Sequence, residues 1–571
     1  MEQRKSGIAE LLNQNIVYAV SVFIILAIVL WGFLLPQSFE TFAKVLFSSL
    51  TMYFGWGYML SMNIFVLFCI FIGFSRFSKV RLGPQDSRPE YSNFSWFAML
   101  FSAGMGVGLV FYGAAEPLTY FYSVPFGVEP GSVQAARDAM RVSFFHWGLH
   151  PWAGYVVIAM PLAYYQFRRN APGLISTIFI PLVGEERVRG IFGKCVDIFA
   201  IFATVAGITT SLGLGTLQLN SGLNALFGVP KNMSVQILLI ALLALGYMTS
   251  ALLGLERGIK NLSNINIFLC FLLMLGLFVV GPSLPIVNSL MTGVGDYFSN
   301  LCNESFMMAP YGGPYEAHLK NWTLYYWAWW IAWAPFVGSF IARVSRGRTI
   351  REFIFGVLVI PSLFGVLWFT VFGNTAIWMD AHNAAGVLGS MTGTPEKLLF
   401  KFLEFLPMPA LTGIVSLAVI ALFFVTSADS GIYVLNNIAS RDKSLSSPRW
   451  QAIMWGVLMS VVAVVLMREG GLGNLQTMTL IVALPFAMLM LLMSFSLWKG
   501  LNADRQYFST KVHPSSVFWS GKNWHARLEQ MMNQTQEDDI LRFLKHTALP
   551  AMRELRQELT SKYGLTVQVN S

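Results

Sequence analysis

Tryptophan and tyrosine recur at helical spacing in two separate segments of this sequence. They are Trp147, Trp152 and Tyr155 in the first segment, and Trp322, Tyr325, Tyr326, Trp327, Trp329, Trp330 and Trp333 in the second. Residues three apart, such as Trp152 and Tyr155 or Trp330 and Trp333, lie on one face of a helix. Aromatic faces around one cavity attract a cation, and a quaternary ammonium group, which donates no hydrogen bond, suits such a cage best. The spacing therefore predicts a binding site for the cationic end of a small molecule.

Two alternatives remain open on the residues alone. Trp and Tyr gather at membrane interfaces, which accounts for Trp322 and can account for Trp327. Aromatic residues, which make up 15% of this chain, also pack in any apolar core. Interface anchoring explains Trp330 and Trp333 less well, because they lie about two to three turns further along the helix.

Three glycines stand at alternate positions of one apolar run, in the stretch Ala103-Gly-Met-Gly-Val-Gly108. A glycine costs about 1 kcal/mol in a helix interior, so Gly104, Gly106 and Gly108 predict local unwinding of this span. Close helix packing would use Gly104 and Gly108 at small-xxx-small spacing, but it does not need Gly106.

A second apolar run carries oxygen-bearing side chains, in the stretch Thr426-Ser-Ala-Asp-Ser-Gly431, and this pattern likewise predicts a helix that is interrupted at membrane depth. The hydroxyls can bond back to their own helix, but an acidic residue at mid-bilayer is costly and predicts a partner or a pathway. Hard cations take oxygen ligands. Carbonyls freed near Ser102 and Met105, together with the hydroxyls of Thr426 and Ser427, therefore predict a sodium site.

The elements that must hold these residues are membrane-spanning helices. The chain has 571 residues, of which 55% are hydrophobic and 12% are charged, whereas soluble proteins carry about a quarter charged residues. Long apolar runs rather than alternating ones favour an all-α integral membrane protein over an outer-membrane barrel. Runs of about 20 apolar residues predict twelve spans. They lie near 16–36, 55–75, 94–123, 140–167, 195–217, 234–254, 262–283, 321–342, 351–378, 409–438, 451–468 and 476–498.

Basic residues concentrate before the first span and in the loops after the second, fourth, sixth, eighth and tenth spans. This alternation predicts that those loops and both termini lie on the cytoplasmic side, and the expected location is a bacterial inner membrane. It also accounts for the net charge of +9 without a nucleic-acid partner. The opposite loop 284–320 is poor in Lys and Arg, and it has room for a helix lying in the interface.

Other chemistry is weakly indicated. The four cysteines are scattered without CxxC spacing, which suggests neither a zinc site nor a disulfide framework. His146 and His150 lie one turn apart but lack a third ligand, and Glu116 before Pro117 is interpreted as structural. The membrane part contains no hydrolase motif, so we expect neither an enzyme nor a cofactor.

The tail 500–571 contains amphipathic stretches at Trp524–Met532 and Asp539–Leu559. They predict either a solvated helical tail or a regulatory one.

The order of these motifs resembles the betaine/choline/carnitine transporter family over about residues 10–500. The second aromatic segment matches the signature of that family, and the match continues through Ala334-Pro-Phe-Val-Gly338 and Arg343-Val-Ser-Arg-Gly-Arg348. The resemblance implies two extra helices followed by a 5+5 inverted repeat, the LeuT-like fold of sodium-coupled neurotransmitter symporters. The implied divisions are 1–90 (tail and helices 1–2), 91–283 (first repeat), 284–320 (periplasmic loop), 321–499 (second repeat) and 500–571 (cytoplasmic tail).

The resemblance also implies roles for individual residues. Trp147, Trp152, Tyr155 and Trp330 match the central aromatic box, whereas Trp329, Trp333 and Phe340 match aromatic positions on the release route. Ser102, Met105 and Phe423 by their carbonyls, with Thr426 and Ser427, match the sodium site. Many members are homotrimers, so membrane lipid and further copies of the chain are expected partners.

Two departures narrow the expected substrate. Exchangers of the family lack the glycine stretch and the sodium-site hydroxyls, both present here, which favours sodium symport. Choline-specific, proton-coupled members tend to carry Asp where this chain has Gly108, and unwound backbone there can donate N–H bonds to a carboxylate. We therefore expect a zwitterion such as glycine betaine or dimethylsulfoniopropionate, for osmoprotection or catabolism. The tail resembles the choline-transporter branch instead, so choline remains an alternative, as does carnitine.

Overall fold

The computed structural model describes residues 2–253, 259–440, 449–470, 472–509, 541 and 544–564. Within these ranges the regular structure is helical, apart from one isolated β-bridge between Arg81 and Thr349, which confirms the all-α class. The helices are α1 (Glu2–Leu34), α2 (Pro36–Phe74), α3 (Asn93–Gly104), α4 (Val107–Tyr122), α5 (Val133–Trp147), α6 (Leu149–Ala163), α7 (Ile180–Val183), α8 (Glu185–Arg189), α9 (Ile191–Phe227), α10 (Met233–Leu253), α11 (Ile259–Val280), α12 (Ser283–Phe306), α13 (Pro314–His318), α14 (Leu324–Val344), α15 (Ile350–His382), α16 (Pro395–Leu403), α17 (Pro409–Ser440), α18 (Arg449–Gly470), α19 (Leu472–Ser509) and α20 (Leu549–Tyr563).

Among the described residues, nine helices are long and apolar enough to cross a membrane. They correspond to every predicted span except the third, the fourth and the eighth. The third is split into α3 and α4 and the fourth into α5 and α6, while the eighth is α14, a 21-residue helix rich in Trp and Tyr. The chain is therefore a multi-pass helical membrane protein, and the count of twelve with its five-helix repeats remains a prediction.

The glycine stretch breaks the third span, as predicted. Helix α3 ends at Gly104, and α4 begins at Val107. Met105 (φ −100°, ψ 110°) and Gly106 (φ −106°, ψ −165°) between them have extended backbone. The break leaves the last carbonyls of α3 and the first N–H groups of α4 without partners in their own helices.

The predicted interruption of the tenth span is wrong, because α17 is helical from Pro409 to Ser440. The Thr426 hydroxyl donates to the carbonyl of Leu422 (2.9 Å), and the Ser430 hydroxyl donates to the carbonyl of Thr426 (2.9 Å). Such bonds satisfy hydroxyls within an apolar helix, so these side chains do not require unwound backbone.

The fourth span contains a break that sequence reasoning missed. Gly148 (φ −91°, ψ −129°) separates α5 from α6, directly between two aromatic residues of the first segment. A Cβ at Gly148 would lie 2.5 Å from the carbonyl oxygen of Phe144, so only glycine fits there. The Tyr297 hydroxyl of α12 accepts a bond from the Leu149 N–H that the break exposes (3.2 Å).

The predicted loop 284–320 contains α12, which is tied to α5 by two ion pairs. Arg137 contacts Asp296 (2.8 Å), and Arg141 contacts Glu304 (2.6 Å). The segment therefore forms a helix, as expected, and its placement in the membrane interface remains a prediction.

Two of the predicted basic loops meet at one end of the helices. The Arg81 guanidinium donates to the carbonyl of Gly347 (2.8 Å), and Arg348 lies 3.8 Å above the ring of Trp96. Helix α15 then begins with a capping box, in which Thr349 and Glu352 satisfy each other's backbone N–H. The shared end agrees with the charge pattern, since both loops were expected on the cytoplasmic side.

The contacts divide the chain into two units, Met1–Ser494 and Phe495–Ser571. In the second unit, α20 is followed by Gly564 in the left-handed conformation (φ 63°), a common helix stop. The predicted stretch Trp524–Met532 lies outside the described residues, and Asp539–Leu559 lies only partly within them.

Candidate binding site

Four aromatic residues of α5, α6 and α14 form one connected group, here called the cage: Trp147, Trp152, Tyr155 and Trp330. The ring of Trp330 lies 4.9 Å from that of Trp147 at 77°, and 6.4 Å from that of Tyr155 at 88°. Tyr155 in turn lies 5.4 Å from Trp152 at 87°. Edge-to-face contacts of this kind turn ring faces in several directions, as a cation-binding cavity requires. The structure thus brings together the four residues that the sequence placed in two distant segments.

Close packing of α14 along α6 makes this meeting possible. Gly338 of α14 lies so near α6 that a Cβ there would be 2.9 Å from the Cβ of Ile158. Interface anchoring of Trp327 is wrong: its ring is buried, stacks 5.2 Å from His150, and donates through Nε1 to the sulfur of Met59 (3.0 Å). The second aromatic segment is therefore core-facing along much of its length.

Each glycine of the broken span faces the tip of one indole. A Cβ would lie 2.4 Å from Cη2 of Trp152 at Gly104, 2.3 Å from Cη2 of Trp333 at Gly106, and 2.4 Å from Cη2 of Trp329 at Gly108. Such distances are far inside van der Waals contact, so any larger residue must displace a ring. The alternating glycines are thus required by close approach of aromatic rings as well as by the backbone break.

The N-terminus of α4 lies beside these rings. Gly108 is the second residue of α4, and a Cβ there would also lie 3.0 Å from Cη2 of Trp147. A helix N-terminus carries free N–H groups and a partial positive charge, which favour a carboxylate. The aromatic faces and this N-terminus together suit a molecule with a cationic end and an anionic end.

The three residues predicted to lie on a release route, Trp329, Trp333 and Phe340, are placed less uniformly. Trp329 stacks on Trp330 at 5.1 Å and 12°, and Trp333 lies 5.9 Å from Trp329. The Trp333 indole donates to the carbonyl of Gly207 on α9 (3.0 Å). Phe340 is buried on α14, about two turns beyond Trp333, and does not belong to the connected ring group.

The sodium-site candidates lie where the end of α3 meets α17. The ring of Phe101 is 5.9 Å from that of Phe423, so the last turn of α3 packs beside α17. Met105, Phe423, Thr426 and Ser427 are all buried. The Ser427 hydroxyl has no hydrogen-bond partner among the described residues, an arrangement that suits a cation ligand.

Ser102 can contribute here through its backbone, since it lies in the last turn of α3. Asp429 is directed elsewhere, because it accepts a bond from the Ser250 hydroxyl of α10. Within the oxygen-rich stretch of the tenth span, Asp429 therefore contacts α10, whereas Thr426 and Ser427 remain the candidates for the sodium site.

Sequence reasoning missed the part played by Glu116. This carboxylate of α4 is fully buried, and Oε2 accepts from Nε1 of Trp147 (2.8 Å) and from the Tyr326 hydroxyl (2.6 Å). Its Oε1 lies 2.8 Å from Nδ1 of His146. A buried acid next to Pro117 in an apolar run was the available signal, but the sequence does not reveal its partners.

The two histidines of the first aromatic segment have separate partners. His146 contacts Glu116 and the hydroxyl of Thr323, whereas Nε2 of His150 lies 3.2 Å from both Asn63 Oδ1 and Ser305 Oγ. Within the described ranges, no three His, Cys, Asp or Glu side chains are grouped as a metal site.

A cavity of about 330 Å³ lies beside aromatic residues that do not belong to the cage. Tyr120 and Trp322, whose rings are 5.2 Å apart, form part of its wall together with His318. The ring of Trp322 also lies 5.8 Å from that of Tyr112, which contacts Trp147 at 6.4 Å. Aromatic residues thus continue from this cavity to the cage.

Comparison with known proteins identifies relatives over most of the chain. A family model described as the betaine/carnitine/choline family transporter matches residues 16–506. A glycine betaine transporter, OpuD, of Bacillus subtilis is 46% identical over 491 residues, which cover 86% of this chain and 95% of the relative. An ectoine/hydroxyectoine transporter of Virgibacillus pantothenticus is 43% identical over 489 residues, or 86% and 96% of the two chains. A high-affinity choline transport protein of Escherichia coli is 37% identical over 526 residues, or 91% and 77%.

Proposed function

The chain belongs to the betaine/carnitine/choline transporter family, whose members are transporters rather than enzymes, and we propose that it takes up a small zwitterion by secondary active transport. Glycine betaine is the first candidate, and dimethylsulfoniopropionate is a related sulfonium one. The observation that carries this proposal is the cage beside the N-terminus of α4.

The cationic end of the substrate would bind among Trp147, Trp152, Tyr155 and Trp330. All four side chains are buried, so water does not compete strongly for the cation. A desolvated cation–π contact contributes about 2 kcal/mol, and a trimethylammonium group meets several rings without leaving a hydrogen-bond donor unpaired.

The anionic end would accept N–H bonds from the first residues of α4. The interrupted span supplies these groups near the rings of Trp147 and Trp329, to which Gly108 lies close. Half-helix N-termini bind substrate carboxylates in several transporters with broken helices. A choline hydroxyl carries no charge for this N-terminus to stabilise, which favours betaine over choline.

The relatives support a compatible solute as the substrate without deciding which one. Glycine betaine and ectoine, named for two of them, are both zwitterions, whereas choline, named for the third, is a simple cation. Proton-coupled choline uptake and carnitine transport are therefore the alternatives that a substrate panel must test.

Sodium is the proposed co-transported ion. The buried Ser427 hydroxyl, which has no hydrogen-bond partner among the described residues, and the end of helical structure at Gly104 support this choice, because sodium prefers oxygen ligands such as hydroxyls and carbonyls outside helices. We further propose twelve spanning helices with a 5+5 inverted repeat, a bacterial inner-membrane location with cytoplasmic termini, and a homotrimer. Osmoprotection is the corresponding physiological role.

Uptake into proteoliposomes tests the proposal. Radiolabelled glycine betaine is offered with an inward sodium gradient, with a proton gradient, and with neither, and unlabelled betaine, choline, carnitine, ectoine and dimethylsulfoniopropionate compete for entry. We expect sodium-driven uptake that betaine inhibits best. Uptake indifferent to sodium would refute sodium coupling alone. Absence of labelled betaine uptake under every gradient would refute the proposed transport function.

A further inference from the structure

Glu116 joins three helices at one buried carboxylate. It lies on α4, about two turns after Gly108. Its Oε2 accepts from Trp147 of α5 (2.8 Å) and from Tyr326 of α14 (2.6 Å). A carboxylate buried among apolar side chains is tolerated only when its oxygens are hydrogen-bonded, and this arrangement supplies such bonds to both oxygens.

The indole N–H groups around the cage are held in different ways. Trp330 donates to the backbone carbonyl of His146 (3.1 Å), and Trp333 donates to that of Gly207 (3.0 Å). Trp147 donates instead to the side chain of Glu116. A single substitution can therefore remove the anchor of Trp147 while the backbone stays as it is.

The orientation of Trp147 affects both ends of the site. Its ring lies 4.9 Å from Trp330 on one side and 5.2 Å from Phe369 on another. Its Cη2 atom is also the atom 3.0 Å from a Cβ built at Gly108, so the same indole borders the N-terminus of α4. Rotation of this ring would change the cation-binding face and the space beside the carboxylate-binding N–H groups together.

His146 holds the other oxygen of the carboxylate. Its Nε2 lies 3.0 Å from the Thr323 hydroxyl, and its Nδ1 lies 2.8 Å from Oε1 of Glu116. With the hydroxyl donating to Nε2, the imidazole donates from Nδ1 to Glu116, and the carboxylate cannot swing away from Trp147 without breaking this bond.

We propose that Glu116 is a positioning residue for substrate recognition, which fixes the Trp147 indole by its N–H and locks α5 to α14 through Tyr326. The inference rests on the proposed function, because it assigns a role within that same binding site. Geometry rather than charge is the property required of Glu116.

Two conservative substitutions separate geometry from charge. Glu116→Gln removes the charge, but its amide oxygen can still accept from Trp147 and Tyr326, and its NH₂ can donate to Nδ1 of the other His146 tautomer. Glu116→Asp keeps the charge but withdraws the carboxylate by one methylene, beyond hydrogen-bond reach of the indole. Asp380→Asn is the matched control, since Asp380 is another buried carboxylate that accepts from the Tyr122 hydroxyl (2.7 Å) and is separate from the cage.

Initial rates of betaine uptake are measured against betaine concentration for each purified, reconstituted variant, with thermal stability recorded alongside. We expect Glu116→Asp to raise KM by about tenfold or more, since a lost hydrogen bond to a charged group has this magnitude, with a smaller change in kcat. Glu116→Gln should raise KM by less than about threefold. Asp380→Asn should affect thermal stability but leave KM unchanged.

The order of the two variants decides the inference. A larger KM for Glu116→Gln than for Glu116→Asp would overturn it in favour of a charge effect, and wild-type KM in both variants would overturn it as well. The comparison of KM values requires that the wild-type protein transports betaine. Absence of uptake by the wild type would instead refute the proposed function, and this inference with it.

Discussion

Replacing Gly108 by alanine adds one methyl group at the place where α4 meets two indoles. The new Cβ would stand 2.4 Å from Cη2 of Trp329 and 3.0 Å from Cη2 of Trp147. Ordinary carbon–carbon contacts begin at about 3.5 Å, so the Trp329 ring tip must move by about 1 Å. Neither ring can move freely, because Trp329 stacks on Trp330 at 5.1 Å and Trp147 is hydrogen-bonded to Glu116.

The magnitude follows from overpacking of a filled site. One extra methylene in a well-packed core costs about 1–3 kcal/mol. If the bound state requires the rings where they now stand, that cost appears in the substrate affinity. At 1.4 kcal/mol per tenfold, Kd for betaine should rise by roughly 5- to 150-fold.

Gly276→Ala is the matched control for this substitution. Gly276 lies within α11, and a Cβ there meets no atom within 4 Å. Alanine is favoured over glycine in a helix by about 1 kcal/mol, so this variant should bind betaine normally and melt no lower than the wild type. Binding is measured by isothermal titration on the detergent-solubilised transporter. A Gly108→Ala Kd within twofold of the Gly276→Ala value would refute the assignment of Gly108 to the substrate site.

Three further substitutions test the cage, the N-terminus of α4 and the proposed sodium site. Trp330→Ala should weaken betaine binding more than Trp322→Ala, because only Trp330 belongs to the cage; equal losses in a fluorescence titration would contradict the cage. Gly108→Asp should shift preference from betaine towards choline, since its own carboxylate would compete with that of betaine for the N–H groups of α4. An unchanged betaine-to-choline ratio in competition assays would refute the assignment of these N–H groups to the substrate carboxylate. Ser427→Ala should raise the sodium concentration for half-maximal uptake by about tenfold, the cost of one lost ligand to a charged group. Ser416→Ala is the control, because it removes another buried hydroxyl of α17 that has no hydrogen-bond partner among the described residues. It should leave the sodium concentration for half-maximal uptake unchanged, and equal responses of the two variants would count against the sodium site.

Features that depend on neighbours in the sequence were predicted well. The unwound backbone at Met105 and Gly106 follows from the low helix propensity of glycine, which is a local property. The placement of Trp152 and Tyr155 on one face of their helix follows from helical periodicity alone. Hydropathy likewise predicted the long apolar helices, since spanning a bilayer is a requirement on continuous stretches of chain.

Errors arose where a local signal had two physical explanations. The hydroxyls of Thr426 and Ser430 indicated a broken helix, but they bond to carbonyls one turn earlier and leave α17 continuous. Tryptophan is a residue type typical of interface anchors, but the ring of Trp327 packs against His150. Such choices depend on whether water, lipid or another helix lies opposite the side chain, which spacing does not specify.

The sequence by itself determined the class of protein, its family and the residue types of the proposed cation cage. Tertiary structure decided how those residues are held. Glu116 is 210 positions from Tyr326 and 31 from Trp147, yet one carboxylate oxygen accepts from both. The glycines of the broken span face indoles from helices far away in the sequence. Periodicity predicts which face a residue occupies, whereas hydrogen bonds and close approaches depend on distances between faces, which only the packed helices fix.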